Sequence, residues 1–208
     1  MKNIKVVSNP LILRDLTILR DKNTPPQEFR IALDRISYSL VVALSEEFKL
    51  IKFDVQTPLE VTDGFKIEKK IVLIPVLRAG LSMVNSFLTL IPEARVGHIG
   101  LQRNEVTLEP IDYYYKAPKD LNNSFVIVLD PMLATGGSVI ASLNFLKKQG
   151  ASKIVVASII AAPEGVKKLA DAHSEAFVYT AALDRQLNEN GYIIPGLGDA
   201  GDRVFGTL

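Results

Sequence analysis

Short apolar runs rich in valine and isoleucine alternate with stretches of helical periodicity between residues 70 and 183. Strands inside a parallel sheet are almost continuously apolar, and amphipathic crossover helices join each strand to the next. The alternation therefore predicts an α/β fold with an open, mostly parallel sheet and helices on both of its faces.

Two strand–helix–strand units are predicted within this region. The earlier unit has strands at residues 71–77 and 95–101 around a helix at residues 81–90. The later unit has strands at residues 125–129 and 153–160 around a helix at residues 136–149. Lys147 and Lys148, followed by Gly150, are typical of the end of that second helix.

The flanking regions follow other patterns. Helical patterns recur around residues 11–20 and 29–48, residues 107–116 predict a hairpin or a mobile loop, and the glycine-dense residues 191–206 predict mostly non-regular structure. We expect one domain over residues 1–208, made of an N-terminal helical arm (1–60), a core (70–183) and a C-terminal glycine-rich hood (184–208). The apolar residues 40–44 of the arm are a candidate subunit interface.

The composition excludes several classes of function. Lys and Arg total 24 against 23 for Asp and Glu, without a block of like charge, so we expect no nucleic-acid surface and no membrane patch. The absence of cysteine removes disulfides and thiolate chemistry. No signal-peptide core is visible, and the apolar runs are shorter than the roughly 20 residues of a membrane helix. A cytoplasmic protein with small-molecule partners is expected.

The strongest local pattern is a strand that ends at Asp130 and is followed by Thr135-Gly136-Gly137-Ser138 and a helix. Backbone N–H groups of residues 134–137, together with the two hydroxyls, predict a binding site for a phosphate monoester at the positive end of that helix. An ordinary helix N-cap explains the turn alone about equally well. Asp130 favours the ligand site, because a carboxylate beside an anion needs sugar hydroxyls or a metal.

Two familiar phosphate motifs do not apply. The turn lacks the lysine of a nucleoside-triphosphate loop. Residues 196–201 spell G-x-G-x-x-G, but too few residues follow for the helix and second strand of a dinucleotide fold.

Two arginines are predicted near the same sheet edge. Arg78 ends an apolar strand, and Arg103 follows another. Taken alone, each arginine would be interpreted as a solvent-exposed charge. Two guanidinium groups beside a phosphate-binding turn, however, predict a diphosphate-binding site. The tyrosines at positions 113–115 either cover a substrate or pack in the fold. His98 and His173 have no partners at metal-ligand spacing and are interpreted as structural.

The chain resembles the type I phosphoribosyltransferases, because residues 130–138 are similar to their ribose-phosphate loop. Residues 192–202 resemble the terminal signature of the uracil phosphoribosyltransferases, and residues 9–14, 77–80, 103–105, 108–110 and 161–165 resemble further segments of that family. Many superfamily members have two adjacent acids where this chain has Asp130-Pro131. The uracil branch resembles this chain in having proline there.

The resemblance implies transfer of a phosphoribosyl group from 5-phosphoribosyl 1-diphosphate (PRPP) to N1 of uracil, giving UMP and pyrophosphate in pyrimidine salvage. It assigns the catalytic roles to Arg103 and Asp199. The implied PRPP-binding residues are Arg78, Arg103, Asp130, Pro131, Met132, Leu133, Ala134, Thr135, Gly136, Gly137, Ser138 and Asp199. The implied uracil-binding residues are Ile193, Gly198, Asp199 and Ala200.

The resemblance also implies Mg²⁺ as cofactor, held by PRPP and water near Asp199 and by no protein ligand directly. It further implies a homodimer or higher homo-oligomer and a GTP-binding, allosteric enzyme. Three alternatives remain open: a nucleotide-binding regulator of RNA, a transferase for another base, and a purely structural protein.

Overall fold

The computed structural model describes residues 3–103 and 110–207. The helices are α1 (Pro10–Arg20), α2 (Pro26–Ser45), α3 (Leu81–Leu90), α4 (Gly137–Lys148), α5 (Pro163–Ala172) and α6 (Ala200–Phe205), with a 3-10 turn at Leu121–Asn123. The strands are β1 (Ile4–Val6), β2 (Leu50–Gln56), β3 (Val61–Ile67), β4 (Lys70–Pro75), β5 (Arg95–Val96), β6 (His98–Arg103), β7 (Pro110–Lys116), β8 (Ser124–Leu129), β9 (Met132–Leu133), β10 (Lys153–Ala161), β11 (Phe177–Leu183), β12 (Gln186–Leu187) and β13 (Ile193–Ile194).

The main sheet is parallel throughout and has the order β1-β11-β10-β8-β4-β5, with β9 added beside β10. Its central strands are apolar at nearly every position and almost fully buried, as expected for strands covered on both sides. The predicted α/β class and parallel sheet are therefore confirmed. None of the helices in the described ranges 3–103 and 110–207 is long and apolar enough to cross a membrane.

Helices cover both faces of this sheet. One core cluster joins alternate strand residues such as Leu73 and Ile127 to α1, α2, α3 and α6. The other cluster joins the intervening residues, such as Val72 and Val126, to α4 and α5. The period-two alternation of each strand thus divides its side chains between two cores.

The strand order creates a switch point between β4 and β8. From β4 the chain passes through α3 to β5 on one side, whereas from β8 it passes through α4 to β10 on the other side. In open α/β sheets, ligands bind at such a point beyond the carboxyl ends of the strands. β4 ends shortly before Arg78 and β8 ends directly before Asp130, so both residues lie at this point.

The predicted strand at residues 95–101 is wrong as a single element. Arg95–Val96 pairs with β4, whereas His98–Arg103 forms an antiparallel pair with Pro110–Lys116 and retains one parallel bridge, from Ile99 to Val76 beyond the end of β4. Gly97 separates the two pieces where the chain passes between Ile74 and Ala117, and a Cβ there would lie 2.7 Å from the side chains of both. Residues 110–116 confirm the hairpin alternative for that region, and residues 104–109 lie outside the described residues.

An unpredicted β-hairpin begins in the arm and extends beyond residue 60. β2 and β3 pair in antiparallel register from Leu50 opposite Ile67 to Gln56 opposite Val61, and within the described chain neither strand pairs with another. The candidate interface at residues 40–44 is also wrong in most positions. Leu40 and Leu44 are fully buried in the core beneath α2, and Val42 is the exposed member of that stretch.

The hood is more regular than predicted. β12 and β13 form a short antiparallel ribbon, and α6 begins after Asp199, whose carboxylate accepts a hydrogen bond from the Asp202 N–H. Arg20 of α1 holds this segment by donating to both carboxylate oxygens of Asp184 and to the Gly196 carbonyl. The hood therefore lies on the N-terminal helices.

Candidate active site

The phosphate loop (residues 130–138) connects β8 to α4. Asp130 accepts a hydrogen bond from the Met132 N–H at 3.2 Å, which turns the chain at the end of β8. Met132 and Leu133 then pair with β10. Gly136 has a φ of 76°, a left-handed conformation that favours glycine, and α4 starts directly after it. The predicted strand–turn–helix arrangement of this loop is confirmed.

The loop encloses a small cradle at the N-terminus of α4. The cradle has a volume of about 100 Å³ and is lined by Asp130 and residues 132–139. Gly136 at the N-cap has no side chain to cap α4, and the Gly137 N–H donates only a long hydrogen bond of 3.5 Å to Thr135 Oγ1. Because the first turn of a helix has no intrahelical acceptors for its N–H groups, these groups are available to an anion at the positive end of the helix.

A larger cleft of about 290 Å³ adjoins the cradle, and both are lined by Asp130, Met132 and Ser138. Its remaining walls come from residues 76–79, Asp199 and Gly201. The structure therefore brings together four predicted side chains from distant parts of the sequence, namely Arg78, Asp130, Ser138 and Asp199. A guanidinium group and two carboxylates beside an anion cradle can bind a phosphorylated sugar that carries a second anionic group.

The turn after β4 places Arg78 at this cleft. A Cβ on Gly80 would lie 2.3 Å from the Leu129 carbonyl oxygen, so the turn fits against β8 only as glycine. The Leu77–Arg78 peptide is cis. The Arg78 guanidinium donates to Asp202 Oδ1 at 3.2 Å and lies 6.0 Å from the centre of the Phe205 ring.

Asp130 has an altered pKa in the cleft. Burial raises its pKa to about 7, and the hydrogen bond from the Met132 N–H acts in the opposite direction. Within the described chain, no group of three or more His, Asp or Glu side chains could hold a metal ion. A cation here would therefore need ligands from substrate and water in addition to carboxylates from the cleft.

The predicted base-binding residues lie in the hood. Asp199 lines the cleft, whereas Ile193, Gly198 and Ala200 are not among the residues that line it. The side chains of Ile193 and Ala200 are buried, and Gly198 is exposed with a φ of 80°. A contribution from these three positions to ligand binding would come from the main chain.

The other predicted residues have different surroundings. Pro131 lies in the loop, and its carbonyl accepts N–H donors from Ile159 and Ile160. Arg103 ends β6, and its side chain lies outside the part of the chain whose side chains are described. The Tyr115 ring packs on Phe145 with centroids 4.5 Å apart, which confirms packing for that tyrosine, whereas Tyr114 is exposed.

Sequence reasoning missed Asp202 and Gly201. Asp202 contacts Arg78, and Gly201 lines the cleft, where its Cβ position is 3.2 Å from Asp199 Oδ1. The pattern Asp199-x-x-Asp202 is the signal that could have found them, since an N-cap aspartate followed three residues later by an acid is typical of a helix start. The many glycines in residues 191–206 predicted non-regular structure there instead of the short helix α6.

Comparison with known proteins places the chain in a family. The family model described as uracil phosphoribosyltransferase matches residues 6–207. The uracil phosphoribosyltransferase of Campylobacter fetus subsp. fetus is 50% identical, and that of Streptococcus salivarius is 49% identical. Both alignments cover 100% of this chain and 100% of the relative.

Solved structures agree with this relationship. The AQ2163 protein from Aquifex aeolicus superposes with a TM-score of 0.90 at 37% identity, covering 97% of each chain. The adenine phosphoribosyltransferase of Trypanosoma brucei shares the fold at 14% identity, with a TM-score of 0.61 over 92% of this chain and 87% of that one. The site at the β4–β8 switch point is thus carried by a chain that belongs to the uracil phosphoribosyltransferase family.

Proposed function

We propose that this protein transfers the 5-phosphoribosyl group of PRPP to N1 of uracil, releasing pyrophosphate and forming UMP for pyrimidine salvage. The observation that carries this proposal is the cleft at the switch point, where the phosphate cradle adjoins Arg78, Asp130 and Asp199. Membership of the family supplies the base and the reaction.

The residues divide naturally among the parts of the donor. Residues 132–138 of the cradle would bind the 5-phosphate through backbone N–H groups, and Asp130 would accept hydrogen bonds from the ribose hydroxyls. Arg78 and Arg103 would bind the diphosphate. As the bond from C1 to the diphosphate oxygen breaks, the leaving group gains negative charge, so fixed cations lower the barrier.

The base would bind against the hood. Backbone groups at Ile193 and at Gly198 to Ala200 would read the donor and acceptor edge of uracil, and N1 would form its bond to C1 as the N1 proton is released. Asp199 has one carboxylate oxygen committed to the Asp202 N–H. Its other oxygen remains for the diphosphate side of the cleft.

Mg²⁺ fits the donor set of this cleft as a substrate-held ion. Two carboxylates, Asp130 and Asp199, line it, which suits a cation that keeps several waters and takes other ligands from phosphates. Asp199 would contact the ion through water. When bound, Mg²⁺ would neutralise charge on the diphosphate.

We further propose that the protein is a homodimer in which the β2–β3 hairpin of one subunit covers the other. An isolated two-stranded hairpin is marginal in water, yet this one exposes Phe53 and Phe65, which are 43% and 61% accessible. Sedimentation of Phe53→Ser with Phe65→Ser should give a monomer where the unmodified chain gives a dimer.

Pyrophosphate release on mixing PRPP with uracil tests the main proposal. Hypoxanthine and orotate serve as controls, since release with either of them would indicate a transferase for another base. No release with any base would favour a non-catalytic nucleotide-binding protein. Repeating the uracil assay with and without Mg²⁺, and then with GTP, tests the cofactor and the expected allosteric activation.

A further inference from the structure

The turn that begins α5 contacts both halves of the candidate active site without lining either cavity. Ala162 follows β10, and residues 163–165 form the first turn of α5. On one side, Gly165 lies against the phosphate loop, and on the other, Glu164 binds a backbone N–H of the hood. Neither residue is among those that line the cradle or the cleft.

Gly165 meets the phosphate loop backbone to backbone. A Cβ on Gly165 would lie 2.1 Å from the Ala134 carbonyl oxygen and 3.0 Å from that of Leu133. The contact is reciprocal, because a Cβ on Gly136 would lie 3.0 Å from the Gly165 carbonyl oxygen. No flexible side chain separates the two segments, so any group larger than hydrogen at position 165 must displace the loop.

Glu164 holds the ribbon that carries the candidate base-binding residue. Its Oε1 atom accepts a hydrogen bond from the Leu187 N–H at 3.0 Å. Leu187 in β12 pairs directly with Ile193 in β13. The exposed carboxylate of Glu164 therefore holds β12 from outside the site. Because Leu187 of β12 pairs with Ile193, Glu164 also fixes the position of Ile193.

We propose that Glu164 and Gly165 are positioning residues for the two substrates, Gly165 for the ribosyl donor and Glu164 for the base. This inference rests on the proposed function. Two adjacent residues at the start of one helix would then set the distance between the phosphate cradle and the base-binding ribbon. Reactions between two bound substrates depend steeply on such alignment, since a displacement of about 1 Å can cost on the order of 100-fold in rate.

Steady-state kinetics for both substrates test the proposal with four variants. Glu164→Ala should raise KM for uracil about tenfold, which corresponds to losing one hydrogen bond, and leave KM for PRPP unchanged. Glu164→Gln should retain the wild-type KM for uracil, because its amide oxygen can still accept from Leu187 although the charge is lost. Gly165→Ala should raise both KM and the calorimetric Kd for PRPP by about 10- to 100-fold.

Lys167→Ala provides the matched control, because it removes an exposed ion pair with Asp171 on the same helix and should change neither KM. The inference is overturned if Glu164→Ala keeps the wild-type KM for uracil, or if Glu164→Gln is as impaired as Glu164→Ala. It is also overturned if Gly165→Ala binds PRPP normally, or fails to fold, since the proposed displacement is local. Failure of the proposed function itself would show differently, as absence of uracil-dependent pyrophosphate release in the unmodified protein.

Discussion

The guanidinium of Arg203 lies 4.4 Å above the ring of Phe29, which joins the last helix of the chain to α2. Arg203 is 7% accessible and also donates to the carbonyl oxygens of Leu19, Asp21 and Leu197. Desolvation by burial lowers its pKa. One side chain thus connects the hood to both N-terminal helices.

Arg203→Ala should lower the free energy of unfolding by about 3–5 kcal/mol, because three carbonyl groups lose a charged donor and the ring loses its cation. Urea denaturation followed by circular dichroism measures this directly. Lys167→Ala, which removes an exposed ion pair with Asp171, should cost under about 1 kcal/mol. A similar small loss for Arg203→Ala would show that the buried contacts do not hold the hood in place.

Gly137→Val should abolish PRPP binding while leaving the fold intact. Gly137 lines the cradle, and the nearest described atom to a Cβ there would be Thr135 Oγ1 at 3.7 Å. The added methyl groups would therefore meet the ligand and not the protein. Calorimetry should show a Kd for PRPP raised by at least about 100-fold, with Gly137→Ala intermediate. Unchanged affinity in folded Gly137→Val would exclude the cradle as the phosphate site.

The central fold could be predicted because its signals are local. The apolar runs of β4, β8 and β10 and the periodicity of α3 define these elements without tertiary information. The hairpin also had a signal, since Ile51, Phe53 and Val55 alternate with polar residues. That alternation is short and lies within residues 1–60, where the longer helical patterns dominate the prediction.

The candidate site could be predicted only in part, for a physical reason. Strand ends at Arg78 and Asp130 are visible in the sequence, but their adjacency depends on β4 pairing with β8. The contact between Arg78 and Asp202 joins residues separated by 124 positions. No local propensity specifies such a pair, because it follows from how the hood lies on the sheet.

Asp130→Asn should stabilise the ligand-free protein at pH 8 while removing activity. The folded-state pKa of Asp130 is raised from 3.8 to about 7, so its stabilising contribution is complete below pH 4 and is lost as the pH rises towards 7. Partial contact of the carboxylate with water limits the gain from Asn to about 1–2 kcal/mol at pH 8.

Thermal unfolding of both proteins from pH 4 to pH 8 tests the Asp130 prediction. The curves should coincide near pH 4 and separate as the pH rises. Asp171→Asn, at an exposed position of α5, should show no such separation. A constant difference between the proteins at all pH values would mean that Asp130 does not titrate in this range.

Uracil should be preferred over cytosine through the main chain of the hood. Uracil presents a donor at N3 between two acceptors, whereas cytosine presents an acceptor at N3 and an amine at C4, and peptide groups cannot exchange donor for acceptor. Two unpaired buried groups cost roughly 2–6 kcal/mol, or on the order of 10²- to 10⁴-fold in kcat/KM. 5-Fluorouracil keeps this edge and should be converted. Comparable kcat/KM values for uracil and cytosine would exclude backbone selection of the base.

Arg103→Ala should lower kcat more than it raises KM for PRPP, because the charge it would meet on the diphosphate grows in the transition state. Initial rates at varied PRPP and saturating uracil separate the two constants. Lys148→Ala removes a positive charge at the far end of α4 and should leave both constants unchanged. A change confined to KM would assign Arg103 to ground-state binding only.

The position of β1 has a consequence for the order in which the protein forms during synthesis. β1 is translated before the other strands of the sheet, yet it pairs Ile4 with Val178 at the edge of the sheet. The pairs β4–β8 and β8–β10 connect segments much closer in sequence, and such contacts form at a lower entropic cost. On the ribosome, the centre of the sheet can therefore assemble before β1 has paired with β11. The strand made before the rest of the sheet is therefore among the last to pair.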